Sequence, residues 1–246
     1  MPSPAPPSPP PASPPVDSPL RRTPSQTRAL RTVDTLFEAT ARILAAEGEA
    51  GFTTNRVAER AGFSIGTLYQ YFPSKEAIVV AMVRRTRERV TRELDALMER
   101  AARREIPAAD ALREYLRKLV DAFGRGQKAQ RLLARLGWQL DSPALMVQAM
   151  DYGAARIRTA LERLADPALP VPDEATLYAL SRAVMGALRS AAVEDTPMLD
   201  DPRFEDALVR MAWGLLHQPP RDRVQHDIHA AAAATQRAIQ DVERGR

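Results

Sequence analysis

Residues 61–77 read AGFSIGTLYQYFPSKEA. Two glycines, a proline, two tyrosines and two phenylalanines crowd between helical patterns, more aromatic surface than a turn requires. The stretch resolves into the end of one short helix, a tight turn at Gly62, and a second short helix that starts after Ser64. With Thr53 and Thr54 opening the first of them, the spacing predicts helices over 54–61 and 65–72, behind a longer amphipathic helix. That order is a helix-turn-helix.

In such a motif the second helix lies in the major groove, with its first residues at the base edges. The residue types suit the task. Thr53 and Thr54 bring hydroxyls and free amides to a helix start, where a phosphate binds well. Ser64 is a good N-cap, and Gly66 lets the first turn come close to a DNA backbone. Leu68 and Phe72, at i and i+4, should be buried. Thr67, Tyr69, Gln70 and Tyr71 then hold the other faces. Thr67 suits a thymine methyl, Gln70 suits adenine, and the tyrosine hydroxyls suit phosphates. Lys75 adds a cation at the start of the next helix, for which Ser74 is the cap.

From Arg28 to about Arg85 the chain closely resembles the DNA-binding domain of the TetR family of bacterial transcription regulators. The residues that carry the likeness begin at Phe52, FTTNRVAERAGFSIGTLYQYFPSKEAIVVAMV. A threonine-opened helix, an alanine–glycine turn, a G-T-L-Y-x-Y-F helix and a lysine–glutamate start follow one another at the family's spacing. The resemblance implies that Thr54, Asn55, Thr67, Tyr69, Tyr71 and Lys75 lie at or near DNA, with Ile65 and Gln70 at exposed recognition positions. Phe63 departs from the family's usual valine and reads as a larger plug for the core.

The rest of the chain is helical in pattern. The first helix runs from Thr27 to a stop at Gly48, with Leu30, Val33, Phe37, Thr40, Ile43 and Leu44 at helical spacing. A long helix from Ser74 extends to about Glu105. Others follow over 108–124, 127–140, 143–165, 173–194 and 201–217, punctuated by glycine and proline. No segment alternates with a period of two, so the fold class is all-α. Residues 1–24 hold 11 of the 21 prolines and are expected to be a disordered tail in which Arg21 and Arg22 come last. Residues 219–246 form a charged tail that could hold a frayed helix over 222–243. The domains expected are 25–73 for DNA binding and 74–218 for ligand binding and dimerisation.

Composition excludes several classes. The formal net charge is +4, which permits nucleic-acid binding without arguing for it. No cysteine is present, hence neither a disulfide framework nor a thiolate metal site. No apolar run is long enough to span a bilayer. The three histidines all fall at 217 or later, which leaves no catalytic triad. His226 and His229, at i and i+3, lack a further ligand for zinc. The basic run at 84–92, RRTRERVTR, spreads around a helix and reads as a solvated face, as do Arg100, Arg103 and Arg104.

Methionines and aromatics between 106 and 170 are either core or the wall of the apolar ligand cavity that the family resemblance implies. The candidates are Tyr115, Leu119, Phe123, Trp138, Met146 and Met150. On the last two helices Leu177, Leu180, Val184 and Leu188 form one stripe; Phe204, Leu208, Met211 and Leu215 form another. Gly186, Ala187, Ala212 and Gly214 allow close approach, so these two helices are the expected dimer face. The chain is therefore expected to be a cytoplasmic, non-enzymatic, homodimeric repressor without cofactor, released from a palindromic operator by a small apolar or amphipathic ligand. The alternatives are a DNA-binding regulator without an inducer, and a helical enzyme or binding protein that keeps the motif only as core.

Overall fold

The computed structural model describes residues 27–140 and 143–217. The proline-rich segment, Arg21 and Arg22, and the C-terminal segment with His226 and His229 lie outside the described residues. Within them the chain is all-α: nine α-helices, one 3-10 turn and no strand. They form two compact units whose boundary in the sequence lies between Met82 and Val83.

The first unit holds α1 (Thr27–Glu47), α2 (Thr54–Ala61), α3 (Ile65–Tyr71) and the start of α4 (Lys75–Ala102). Its interior comes from Leu36, Ile43 and Leu44 of α1, Val57 of α2, Leu68 and Phe72 around α3, and Ile78 and Val79 of α4. Burying side chains of this size stabilises the fold by about 1.5–3 kcal/mol each. The Phe37 and Phe72 rings meet at 5.7 Å, tilted. Thr40 is fully buried, and its hydroxyl donates to the Leu36 carbonyl at 2.9 Å, so no polar group is stranded there. Leu30, expected on the buried stripe of α1, is instead 51% exposed. Arg56 and Arg60 of α2 reach Glu47 at the end of α1, at 2.7 and 3.9 Å.

The second unit contains the rest of α4, then α5 (Ala108–Ala122), α6 (Lys128–Leu140), α7 (Pro143–Leu164), α8 (Glu174–Val193), a 3-10 turn (Pro197–Asp200) and α9 (Pro202–Leu216). Helix α8 packs against α6, α7 and α9, and α5 packs against α9. Asp173, Thr196 and Asp201 cap their elements by accepting hydrogen bonds from main-chain amides. Glu99 of α4 accepts from both Nη atoms of Arg163 on α7, at 2.5 and 3.0 Å. Those hydrogen bonds, helped by Arg103, hold its carboxyl down at about 2.

Most residues of the expected dimer face pack within this chain's own core. Leu177, Leu180, Val184, Leu188 and Leu208 are all buried inside this chain's own core, together with Leu116, Val120 and Ala212. A side chain already covered by its own chain has no surface left for a second copy. Phe204, Met211 and Leu215 are half-buried against the same core. The sides of α8 and α9 turned to solvent carry small residues, Ala175, Ala179, Ala183 and Gly186 on α8 and Ala207 and Gly214 on α9, beside the exposed Tyr178, Val193, Arg189 and Arg210.

Candidate functional site

Helices α2 and α3 are fixed at both ends by the local chemistry of their sequence. Thr53 caps α2, its hydroxyl accepting from the Arg56 amide at 3.3 Å. Gly62 ends it in the left-handed conformation, φ 72°, which a residue with a side chain adopts only under strain. There the Gly62 amide donates to the Glu59 carbonyl, and the Phe63 amide donates to the Ala58 carbonyl. The chain thus turns at once into Ser64, which caps α3 by accepting from the Thr67 amide at 3.0 Å. Ser74 does the same for α4, accepting from the Ala77 amide at 3.2 Å. Phe63 is half-buried, so the expected core plug only partly covers itself.

With Leu68 and Phe72 fully buried, the rotational setting of α3 is determined, and its other face is open. Ile65 and Tyr69 are 37% and 41% exposed; Gly66 and Gln70 are exposed, while Thr67 and Tyr71 are half-buried. Asn55 is exposed on the first turn of α2, and Thr54 beside it is half-buried. The Thr54 and Tyr69 hydroxyls lie 3.3 Å apart, joining the start of α2 to the middle of α3. Thr67 and Ser64 share a hydrogen bond between their hydroxyls at 2.9 Å, which leaves the Thr67 methyl as the group it can offer a base. Lys75 is exposed. It has no ion pair among the described residues, whereas Arg56 is paired to Glu47. The surface therefore offers hydroxyls, an amide, an apolar side chain and one uncompensated cation. Those are the groups that meet phosphates and base edges.

A second feature is a cavity of about 200 Å³ in the second unit. Its wall includes all six expected candidates: Tyr115, Leu119, Phe123, Trp138, Met146 and Met150. Trp138 also packs beneath the Arg189 guanidinium, 5.0 Å from the ring centre. The wall carries a polar corner that sequence spacing does not reveal. Tyr152 donates to Asp95 Oδ2 at 2.8 Å, and Arg156 Nε donates to Oδ1 at 2.9 Å. Burial, together with the Asp95 charge, pushes the Tyr115 hydroxyl up to about 12. Arg87, read as part of a solvated basic face, is half-buried on the cavity wall, while Arg84 and Arg89 pair with Glu88 and Glu93 one turn on. Arg104 donates to the Leu164 carbonyl at the end of α7, an anchor within the fold.

Among the described residues no cluster of three or more histidine, aspartate or glutamate side chains could hold a metal ion. No helix there is long and apolar enough to cross a membrane.

Residues 36–82, which include the whole of α2, the turn and α3, match the model of the bacterial regulatory proteins of the tetR family. Curated proteins give no match in sequence. Solved structures give many. A TetR-family transcriptional regulator from Mesorhizobium loti is 18% identical, with 78% of this chain and 96% of that one aligned at a TM-score of 0.54. A TetR transcription regulator from Haloarcula marismortui, also 18% identical, aligns 76% of this chain and 97% of its own at 0.57. The multidrug-binding protein EbrR, solved with imidazole, is 23% identical and aligns 77% of this chain and 97% of its own at 0.50. At such identities the likeness is one of fold. Joined to the match over the helix-turn-helix itself, it leads to one conclusion: residues 36–82 resemble the DNA-binding region of the tetR family of bacterial regulatory proteins, in a chain that shares the fold of such regulators.

Proposed function

We propose that this DNA-binding regulator is a homodimeric, cytoplasmic repressor that grips a palindromic operator through α2 and α3 and is released by a small apolar or amphipathic ligand. The observation that carries the reading is the division of α3: Leu68 and Phe72 hold one side in the core, and Ile65, Tyr69 and Gln70 are left to solvent. In this reading Gln70 and the Thr67 methyl read bases. Thr54, Asn55, Tyr69, Tyr71 and Lys75 hold phosphates, Ser64 sets the helix start, and Gly66 permits close approach. The cavity lined by Trp138 and Met150 takes the ligand. Helix α4 carries Lys75 in its first turn and Val90, Leu94 and Met98 on the cavity wall, so a ligand that shifts α4 acts on the DNA grip. Pairing of two copies through the exposed small residues of α8 and α9 would let helices approach closely.

Nuclease footprinting on the DNA flanking the protein's own gene tests this. A protected site with two symmetric halves, about one helical turn apart or slightly more, is expected. A one-sided footprint made by a monomer would refute the proposal.

A further inference from the structure

We infer that the cavity takes an uncharged amphiphile whose carbonyl or ester oxygen accepts a hydrogen bond from the Tyr115 hydroxyl, with its apolar body against Trp138, Met146 and Met150. This rests on the reading of the cavity as the ligand site and narrows what that site selects.

The first ground is an unmet donor. The Tyr115 hydroxyl, like those of Thr86 and Thr91 on the wall, makes no hydrogen bond among the described residues, while Ser181 and Gln130 are engaged. The Ser181 hydroxyl donates to the Tyr178 carbonyl, and the Gln130 side-chain amide donates to the Ala122 carbonyl, both at 2.9 Å. Tyr115 is half-buried on a largely apolar wall, so a ligand acceptor placed at its hydroxyl gains a hydrogen bond sheltered from bulk water. The hydroxyl keeps its proton throughout the physiological range, since its titration is pushed up to about 12. Space is provided too. Facing it is Gly153, where a Cβ would stand 3.2 Å from the Tyr115 oxygen.

The second ground is charge. Asp95 holds the only carboxylate traced on the wall, and both of its oxygens are occupied, by Tyr152 and by Arg156. Arg87 also has a partner. A cationic head would have to compete with Arg156 for Asp95, and an anionic head would have to compete with Asp95 for Arg156. Either exchange breaks an ion pair whose side chains are only 34% and 31% exposed, beside a wall that is otherwise largely apolar. An uncharged head leaves the pair intact.

Calorimetric titration of the full-length protein with methyl octanoate, octanoate and octylammonium tests the inference on one chain length with three head groups. Methyl octanoate is expected to bind at least tenfold more tightly than either ion, a difference of roughly 1.4 kcal/mol. Tyr115→Phe, checked for an unchanged melting temperature, is expected to weaken the ester roughly three- to tenfold. Preference for octanoate or octylammonium would overturn the inference and leave the cavity a ligand site. An unchanged ester affinity in a folded Tyr115→Phe protein would overturn the assigned contact. Failure of all three probes to bind would overturn both the inference and the reading of the cavity beneath it.

Discussion

At the scale of single residues, the proposed DNA surface separates side chains expected to grip from side chains expected to read. Lys75 has no ion pair among the described residues, so in the proposed role it would serve any sequence alike. Lys75→Ala should weaken binding to every operator variant by a similar factor and lower the slope of log affinity against log salt by about one. Gln70→Ala should instead relax preference at one base pair, by roughly 1–3 kcal/mol if the contact is bidentate. Titrating both proteins against a panel of operator variants distinguishes the two; identical effects across the panel would refute the division. In the other unit, Glu99 offers a measurement independent of DNA. A free glutamate titrates near 4.5, and Arg163 holds this one at about 2. A lowered value in the fold means that the ionised pair stabilises above pH 4.5, and that this stabilisation fades as pH falls towards 2. Glu99→Gln should therefore melt below the wild type at neutral pH, and the gap should close in acid.

Among elements, α3 depends on Ser64 twice, since the same oxygen accepts from the Thr67 amide and meets the Thr67 hydroxyl. Ser64→Ala should lower stability by about 1 kcal/mol in thermal melts. Ser64→Asp restores a good cap but sets a negative charge at the phosphate surface, so the fold should recover while operator affinity does not. Recovery of both would mean that Ser64 lies away from the DNA. The borders of these elements were legible because their signals are local: a capping hydroxyl and a left-handed glycine act within a few residues. The polar corner of the cavity was not, because Asp95 meets Tyr152 and Arg156 across 57 and 61 residues of chain. The stripes on α8 and α9 are ambiguous for another reason. Periodicity shows which side of a helix is buried, whether its cover is the same chain or a second one. The available side mixes alanine and glycine with charged residues and Tyr178, which leaves little trace in a hydrophobic pattern.

For the molecule as a whole, the proposed dimer and ligand would make regulation a matter of coupled equilibria. To lower operator affinity by a factor of 100, a ligand must favour the released form by roughly 2.7 kcal/mol. Trp138→Ala removes a large part of the cavity wall, along with the ring beneath Arg189. It should weaken the response to a ligand while leaving operator binding nearly unchanged, as measured by operator titration at saturating ligand. Full induction in that variant would mean Trp138 only packs the core. Joint loss of operator binding and melting temperature would point the same way. Operator binding should also fall away on dilution below the dimer dissociation constant, more steeply than a single-chain isotherm allows.

One carboxylate of α9 constrains how this chain can change. Glu205 is buried, with Arg125 at 2.7 Å, Arg117 at 3.4 Å and Arg113 at 4.0 Å, two of them from α5 and one from the loop after it. Lost alone, it leaves three cations facing one another, tempered among the described residues by Asp206, Asp121 and Asp110. Substitution here is therefore a joint event. A relative that lacks this acid should also lack the arginine equivalent to Arg125, and apolar residues at both positions should be tolerated where one alone is not. The four positions should drift together or not at all.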